Sequence, residues 1–250
     1  MKYRVKFTKT GNVRFLGHLD VMRYFQKAIR RAALPVAYSE GFSPHQIISF
    51  ASPLSVGAES VGEYFDVEMK EAVDPEALTD RLNAVMAEGF SVTLAVQLPE
   101  TAGHKLNAMA QVRAAEYMTA VTDSNYVNKL MLTKMVNINT LHSFMTDSVD
   151  QFMKKDDIPF VKHTKKSDTT INLKDSLYRL ETIKNNCNLI TLSMLVCSSS
   201  SGTGNLKPRE VVSELFHFME QDPPEELRIL RLETYGEKDG RLVPLWEAAD

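Results

Sequence analysis

Two histidines with acids nearby are the first groups in this chain that could move a proton. His18 stands two residues before Asp20 in Arg14-Phe15-Leu16-Gly17-His18-Leu19-Asp20, and His45 closes the run Tyr38-Ser39-Glu40-Gly41-Phe42-Ser43-Pro44-His45. A histidine beside a carboxylate can act as general base or metal ligand, because its charge changes near neutral pH. His18 and Asp20 equally suit the plainer task of capping a helix start. His45 lies in a Gly- and Pro-containing loop, where binding and catalytic residues concentrate. The catalytic candidates are therefore His18, Asp20 and His45. Together with Glu40 and Glu63 they make a conceivable nitrogen and oxygen donor set, but no HExxH or CxxC spacing supports it and no metal is expected. His104, His142 and His163 are isolated, and His217 falls inside the amphipathic pattern Val211, Val212, Leu215, Phe216, Met219, which reads as structural.

A second chemistry is anion recognition. Arg23, Lys27, Arg30 and Arg31 recur at i, i+4, i+7 and i+8, which lines them along one side of a helix. Arg4, Lys6 and Arg14 add to that field, while Tyr24, Tyr38 and Phe42 offer rings for stacking on bases. The binding set read from these features is Arg14, Arg23, Arg30, Arg31, Tyr38, Ser39, Glu40, Gly41, Phe42, His45 and Glu63. No RNP-type aromatic strand is present, so this is not an ordinary RNA-recognition module, and no DNA specificity is expected. Farther on, the Ser-rich loop containing Gly202 and Gly204 runs into Lys207 at a helix start and could cradle a phosphate; a flexible linker is the alternative.

Charge is distributed unevenly. Residues 1–50 carry nine Lys and Arg against Asp20 and Glu40, a balance of +7, whereas residues 57–100 carry ten acids against Lys70 and Arg81, a balance of -8. Such blocks can attract an anionic ligand or simply pair with each other in the fold. Two cysteines, Cys187 and Cys197, in no metal spacing suit a reducing compartment. With no apolar leader and no run near the roughly 18 apolar residues of a membrane span, the expected location is cytoplasmic.

The elements that must position these groups follow from hydrophobic period. Tyr3, Val5 and Phe7 alternate with Lys2, Arg4, Lys6 and Thr8, a half-buried strand. From His18 to Ala33 the period becomes helical, and Pro35 ends it. Strands are predicted over 47–50, 64–69 and 90–98, with a helix from Pro75 to Gly89 between the last two. The order strand, helix, strand, strand, helix, strand over residues 1–100 is that of a ferredoxin-like unit, a split β-α-β with an antiparallel sheet and helices on one face. After a linker at 99–107 a second pass through that order is expected. Strands are predicted at 115–121, 160–163, 170–173, 189–197 and 228–235, helices at 125–135 and 140–153, and a further helix from Lys207 to Gln221. The expected fold is α+β, with two tandem ferredoxin-like units. The first spans 1–100 and carries the site; the second spans 108–250 and is decorated by a helical insertion around 123–157.

The blocks Arg14–Arg23, Ala28–Ala32, Leu34-Pro35, Tyr38–His45 and Leu54-Ser55-Val56-Gly57 resemble the bacterial radical SAM-associated (radical SAM-linked) domain of unknown function. The similarity runs through about residue 100 and continues more loosely through Lys162–Leu173, Gly204–Glu210 and Arg231. The chain departs from the family pattern at Gly17, where Ser is usual, at Ser43, Gln46-Ile47 and Asn172. The resemblance implies a partner, a radical SAM protein encoded nearby or fused in front, which would carry the iron–sulfur cluster and SAM. No cofactor is expected on this chain. The leading expectation is an accessory substrate-recognition domain that binds RNA or another phosphate-bearing molecule without catalysis of its own. The alternatives are a metal-independent ribonuclease or other acid–base enzyme using His18 and His45, and a protein-interaction scaffold.

Overall fold

A computed structural model describes residues 1–99, 107–163, 168–184, 189–198 and 205–249. In chain order its elements are β1 (Lys2–Lys9), α1 (His18–Arg31), β2 (Ile48–Phe50), β3 (Glu59–Glu68), α2 (Pro75–Asn83), β4 (Phe90–Gln97), α3 (Ala108–Gln111), β5 (Ala114–Val121), α4 (Ser124–Thr133), α5 (Ile138–Lys154), β6 (Pro159–His163), β7 (Asp168–Asn172), β8 (Leu177–Ile183), β9 (Ile190–Cys197), α6 (Pro208–Phe218), β10 (Leu227–Lys238) and β11 (Arg241–Pro244). The protein is mixed α+β with largely antiparallel pairing. It divides into two compact units, Met1–Ala114 with Arg231–Asp250, and Ala115–Leu230. The sequence reading assigned all of 108–250 to a second domain; here residues 108–114 and the C-terminal segment group with the first unit. Strand pairing is the reason, since the later part of β10 lies beside β3.

In the first unit the strand order is β4-β1-β3-β10, with β2 also on β3 and β11 on β10. Tyr3, Val5 and Phe7 project from β1 into a core completed by Val21, Phe25 and Ile29 of α1 and by Phe50, Phe65 and Phe90. The rings interlock, with Phe7 and Phe25 centroids 4.5 Å apart and Phe25 and Phe65 5.0 Å apart. Each such side chain contributes about 1.5–3 kcal/mol by leaving water. Helix α2 starts on an Asp74 cap with Pro75 in its first turn. It stops at Asn83, short of the Gly89 expected, because the Asn83 side chain bonds both the N–H and the carbonyl of Val92 on β4. Gly89 makes the following turn at φ +93, where a Cβ would stand 2.4 Å from the Thr10 carbonyl oxygen.

The other face of β1 is also covered. Arg4 is fully buried and grips Asp66 of β3 through Nε–Oδ1 at 2.8 Å and a second guanidinium nitrogen at 3.1 Å. The Leu245 carbonyl and the Ala108 N–H complete that pair at 2.7 and 2.8 Å. Beside it, Lys6 and Tyr64 both donate to Glu233 of β10, at 2.6 and 2.8 Å. Burial and then the Glu233 carboxylate push the Tyr64 phenol well above its ordinary value.

In the second unit the order is β10-β5-β9-β8, and β6 and β7 form a separate hairpin. Helices α4 and α5 stand where the period placed them, α5 capped by Asn137. Strand β8 was not foreseen. A register irregularity between Leu177 and Arg179 breaks its alternation, which hides it from a period-two reading. Helix α5 buries Leu141, Met145, Ser148 and Val149, the same spacing at which α1 buries Val21, Phe25, Ala28 and Ile29. Their exposed sides differ: Arg23, Lys27 and Arg30 on α1, against Ser143, Asp147 and Asp150 on α5.

Candidate functional site

Three charged side chains are buried together at one end of the first unit's core. Glu63 of β3 takes a 2.8 Å hydrogen bond from Arg231 of β10, whose guanidinium also donates to the Ser52 carbonyl at 3.0 Å. Lys9, the last residue of β1, donates its ammonium to the Arg14 carbonyl at 3.0 Å. Lys9 and Arg231 are 3% exposed and Glu63 is 8% exposed. The bulge between Phe7 and Lys9 sets the end of the strand at this place. Burial pushes the Lys9 pKa down from 10.5; Glu63 opposes that shift and Arg231 adds to it. Lys9 and Glu63 line a recess with His18, Phe50, Ser52 and Leu54. Its volume is about 20 Å³, room for a single water-sized group.

His18 is the first residue of α1. Its ring stands edge-on to Phe50, with centroids 5.8 Å apart. Gly17 is the helix N-cap and supplies no side-chain acceptor, so neither His18 nor Asp20 caps the helix. Asp20 is exposed and lies 3.8 Å from Arg23 on the same helix. His45 is exposed too: its Nδ1 lies 2.9 Å from the Ser39 hydroxyl, and its backbone N–H donates to that hydroxyl. Of the acids and histidines singled out from the sequence, His18 and Glu63 line the recess, whereas Asp20, Glu40 and His45 do not.

The basic block splits into two populations. Apart from Lys9, the cations on the first strand and its following turn have acidic partners: Lys2 and Arg4 with Asp66, Lys6 with Glu233, and Arg14 with Glu59 at 3.9 Å. Those on α1 face solvent. Arg31 donates to the Val85 carbonyl at 3.0 Å and lies over the Tyr24 ring. The loop 38–45 is tied to the middle of that helix, because Gln46 donates to the Gln26 carbonyl at 3.2 Å. Within the loop, Gly41 takes φ +109 and Phe42 is fully exposed, while Tyr38 lies under Lys70. An exposed aromatic loop therefore flanks the arginine face.

Gly202 and Gly204 of the proposed phosphate loop, with His104 and Cys187, lie outside the described residues. Lys207 precedes α6, where its backbone N–H donates to Glu210 at 2.7 Å. His217 lies 3.3 Å from Glu214 on α6, and His142 lines a cavity of about 350 Å³ within the second unit. Among the described residues no three His, Cys, Asp or Glu side chains are placed to hold a metal ion, and no helix is long and apolar enough to cross a membrane. Lys9 and Arg231 were not among the candidates read from the sequence. Lys9 did leave a signal, since it continues the apolar phase of Tyr3, Val5 and Phe7 with a charge.

A family model described as an uncharacterized protein conserved in bacteria, DUF2344, matches residues 2–208. No curated protein matches the chain. Among solved structures, a chain of a Cbf5-Nop10-Gar1 complex aligns over 93% of this chain at 9% identity and TM-score 0.42. This protein spans 48% of that chain's length. An unknown protein from Galdieria sulphuraria aligns over 92% of this chain and 97% of its own length, at 13% identity and TM-score 0.24.

Proposed function

The chain belongs to the bacterial DUF2344 family of uncharacterized proteins, and we propose that it acts as an accessory recognition domain for a radical SAM enzyme, binding RNA or another phosphate-bearing substrate. The observation that carries this reading is the surface of α1. Arg23, Lys27 and Arg30 are exposed along one side, and the Gln46 tether holds the Phe42 loop beside them. Cations at helical spacing neutralise phosphates, and an exposed ring can stack on a base. The radical SAM partnership rests on the resemblance of the Arg14–Arg23 and Tyr38–His45 blocks. A cytoplasmic location belongs to the same proposal. We also read the two strand orders, β4-β1-β3-β2 and β10-β5-β9-β8, as two split β-α-β units, the second carrying the β6-β7 hairpin as decoration.

The test is retention of cellular RNA by the full chain across a salt series. Retention should fall steeply with salt and be largely lost in Arg23→Glu with Arg30→Glu, with unfolding midpoints showing that the variant is folded. No retention at low salt, or equal retention by the double variant, overturns the RNA form. Co-purification of the radical SAM protein without nucleic acid would move the assignment to a protein-interaction scaffold.

A further inference from the structure

We propose that the α1 surface takes an unpaired RNA strand, with its phosphates along Arg23, Lys27 and Arg30 and one base stacked on Phe42. This rests on the recognition reading above and goes beyond it by naming the form of the nucleic acid, a single strand rather than a duplex.

The ring is displayed on a braced stem. The two sides of the loop pair at Tyr38 and Gln46. The Ser39 N–H donates to the His45 carbonyl at 2.8 Å, and the Ile47 N–H to the Ala37 carbonyl at 2.9 Å. The Ser39 hydroxyl accepts from the His45 N–H at 3.1 Å and lies 2.9 Å from its Nδ1. Below this closure the Ala37 N–H donates to the Glu68 carbonyl at 2.8 Å, which fastens the stem to β3. Residues 40–44 form the tip, where Gly41 takes φ +109 and Phe42 is fully exposed. Apolar surface gains by being covered. Because the stem is already ordered, a flat partner meets the ring without the cost of fixing the chain.

Charge divides the surface into two parts. Arg23, Lys27 and Arg30 are exposed and follow one another at about 6 and 4.5 Å along the helix axis, a row that suits successive phosphates. Asp20 is the one acid of α1, exposed and 3.8 Å from Arg23. The tip, Glu40-Gly41-Phe42-Ser43-Pro44, carries no cation, and its exposed Glu40 repels phosphates. The tip therefore accepts the uncharged part of a nucleotide, the face of its base. Gln46 joins the two parts: it is buried and donates at 3.2 Å to the carbonyl of Gln26, between Arg23 and Lys27. In a duplex the base faces are stacked on one another and closed to a side chain, whereas an unpaired nucleotide opens its face. The cation row alone would serve either form; the ring selects the single strand.

The experiment measures fluorescence anisotropy of a labelled, unstructured pyrimidine RNA strand and of a blunt RNA duplex of equal length, each titrated with the full chain. The strand should bind about tenfold or more tightly than the duplex, as one stacked base allows. Phe42→Ala should weaken strand binding about tenfold or more and leave duplex binding unchanged. Phe42→Trp should restore it, and the strand should quench the new indole's emission. Both variants alter a fully exposed position, and equal unfolding midpoints verify their fold. Arg23→Glu with Arg30→Glu should weaken both RNAs and flatten their salt dependence. Equal affinity for strand and duplex, or wild-type strand affinity in Phe42→Ala, overturns the single-strand inference, while salt-dependent binding of both RNAs keeps the recognition reading. Binding of neither RNA overturns both.

Discussion

Strand β1 buries a cation near each end and surrounds the two differently. Arg4 meets Asp66 in a two-point ion pair, and neighbouring backbone groups occupy the remaining positions. Lys9, five residues on, donates to a carbonyl beside a carboxylate already held by Arg231, and a recess opens next to it. The Arg4 arrangement is closed, with Lys2 also 3.6 Å from Asp66, which is what a structural ion pair requires. The Lys9 arrangement leaves its cation on a neutral carbonyl, beside a Glu63–Arg231 pair that forms without it. Equal burial along one strand thus places one cation inside an ion pair and the other beside one.

The contrast can be broken most forcefully at Arg4. Arg4→Met leaves Asp66 buried without its main partner and should cost about 3–5 kcal/mol in denaturant unfolding. Lys9→Met leaves Glu63 paired with Arg231, so stability should stay within about 1 kcal/mol of wild type. A loss at Lys9 as large as that at Arg4 would erase the distinction and make both ends structural.

Alkaline stability gives a third comparison. The Tyr64 phenol is raised above its ordinary value of 10, so the folded state holds its proton where the unfolded chain releases it. Stability should therefore fall as pH rises past 10, and Tyr64→Phe should flatten that limb. Lys9 has the opposite sign. Its pKa lies below 10.5, so toward that pH the unfolded chain binds more protons and the residue makes stability climb. Urea midpoints from pH 9 to 11 in wild type, Tyr64→Phe and Lys9→Met separate the two. The smallest effect is at the helix start. A Cβ at Gly17 meets only an Asp20 oxygen, 3.7 Å away, so Gly17→Ser should cap α1 and add a few tenths of a kcal/mol.

Much of the framework could be read from residue period. The alternation of Tyr3, Val5 and Phe7 and the helical spacing of Val21, Phe25 and Ile29 depend on local geometry alone, and both elements formed where that spacing put them. The recess was legible only by half. His18 and Glu63 stood out by type. Lys9 was masked as one of nine basic residues in a block whose strand members turned out to be paired. Arg231 stood out only in the family resemblance, and its meeting with Glu63 was out of reach, because it depends on which strand lies beside β3, a long-range choice that period does not encode. The same limit applies to His45: it was read as a loop residue, and its ring is turned toward Ser39.

Glu63 and Arg231 are separated by 168 positions along the chain. On the ribosome, at the usual 5–20 residues per second, roughly ten to thirty seconds pass between the emergence of one and the other. Through that interval the nascent strands β1 and β3 hold Lys9 and Glu63 without the guanidinium that completes the cluster, and Lys6 and Tyr64 wait for Glu233 in the same way. Strand β10 therefore acts as a timing device, because neither the Glu63–Arg231 pair nor the polar face of the sheet can close until it has emerged.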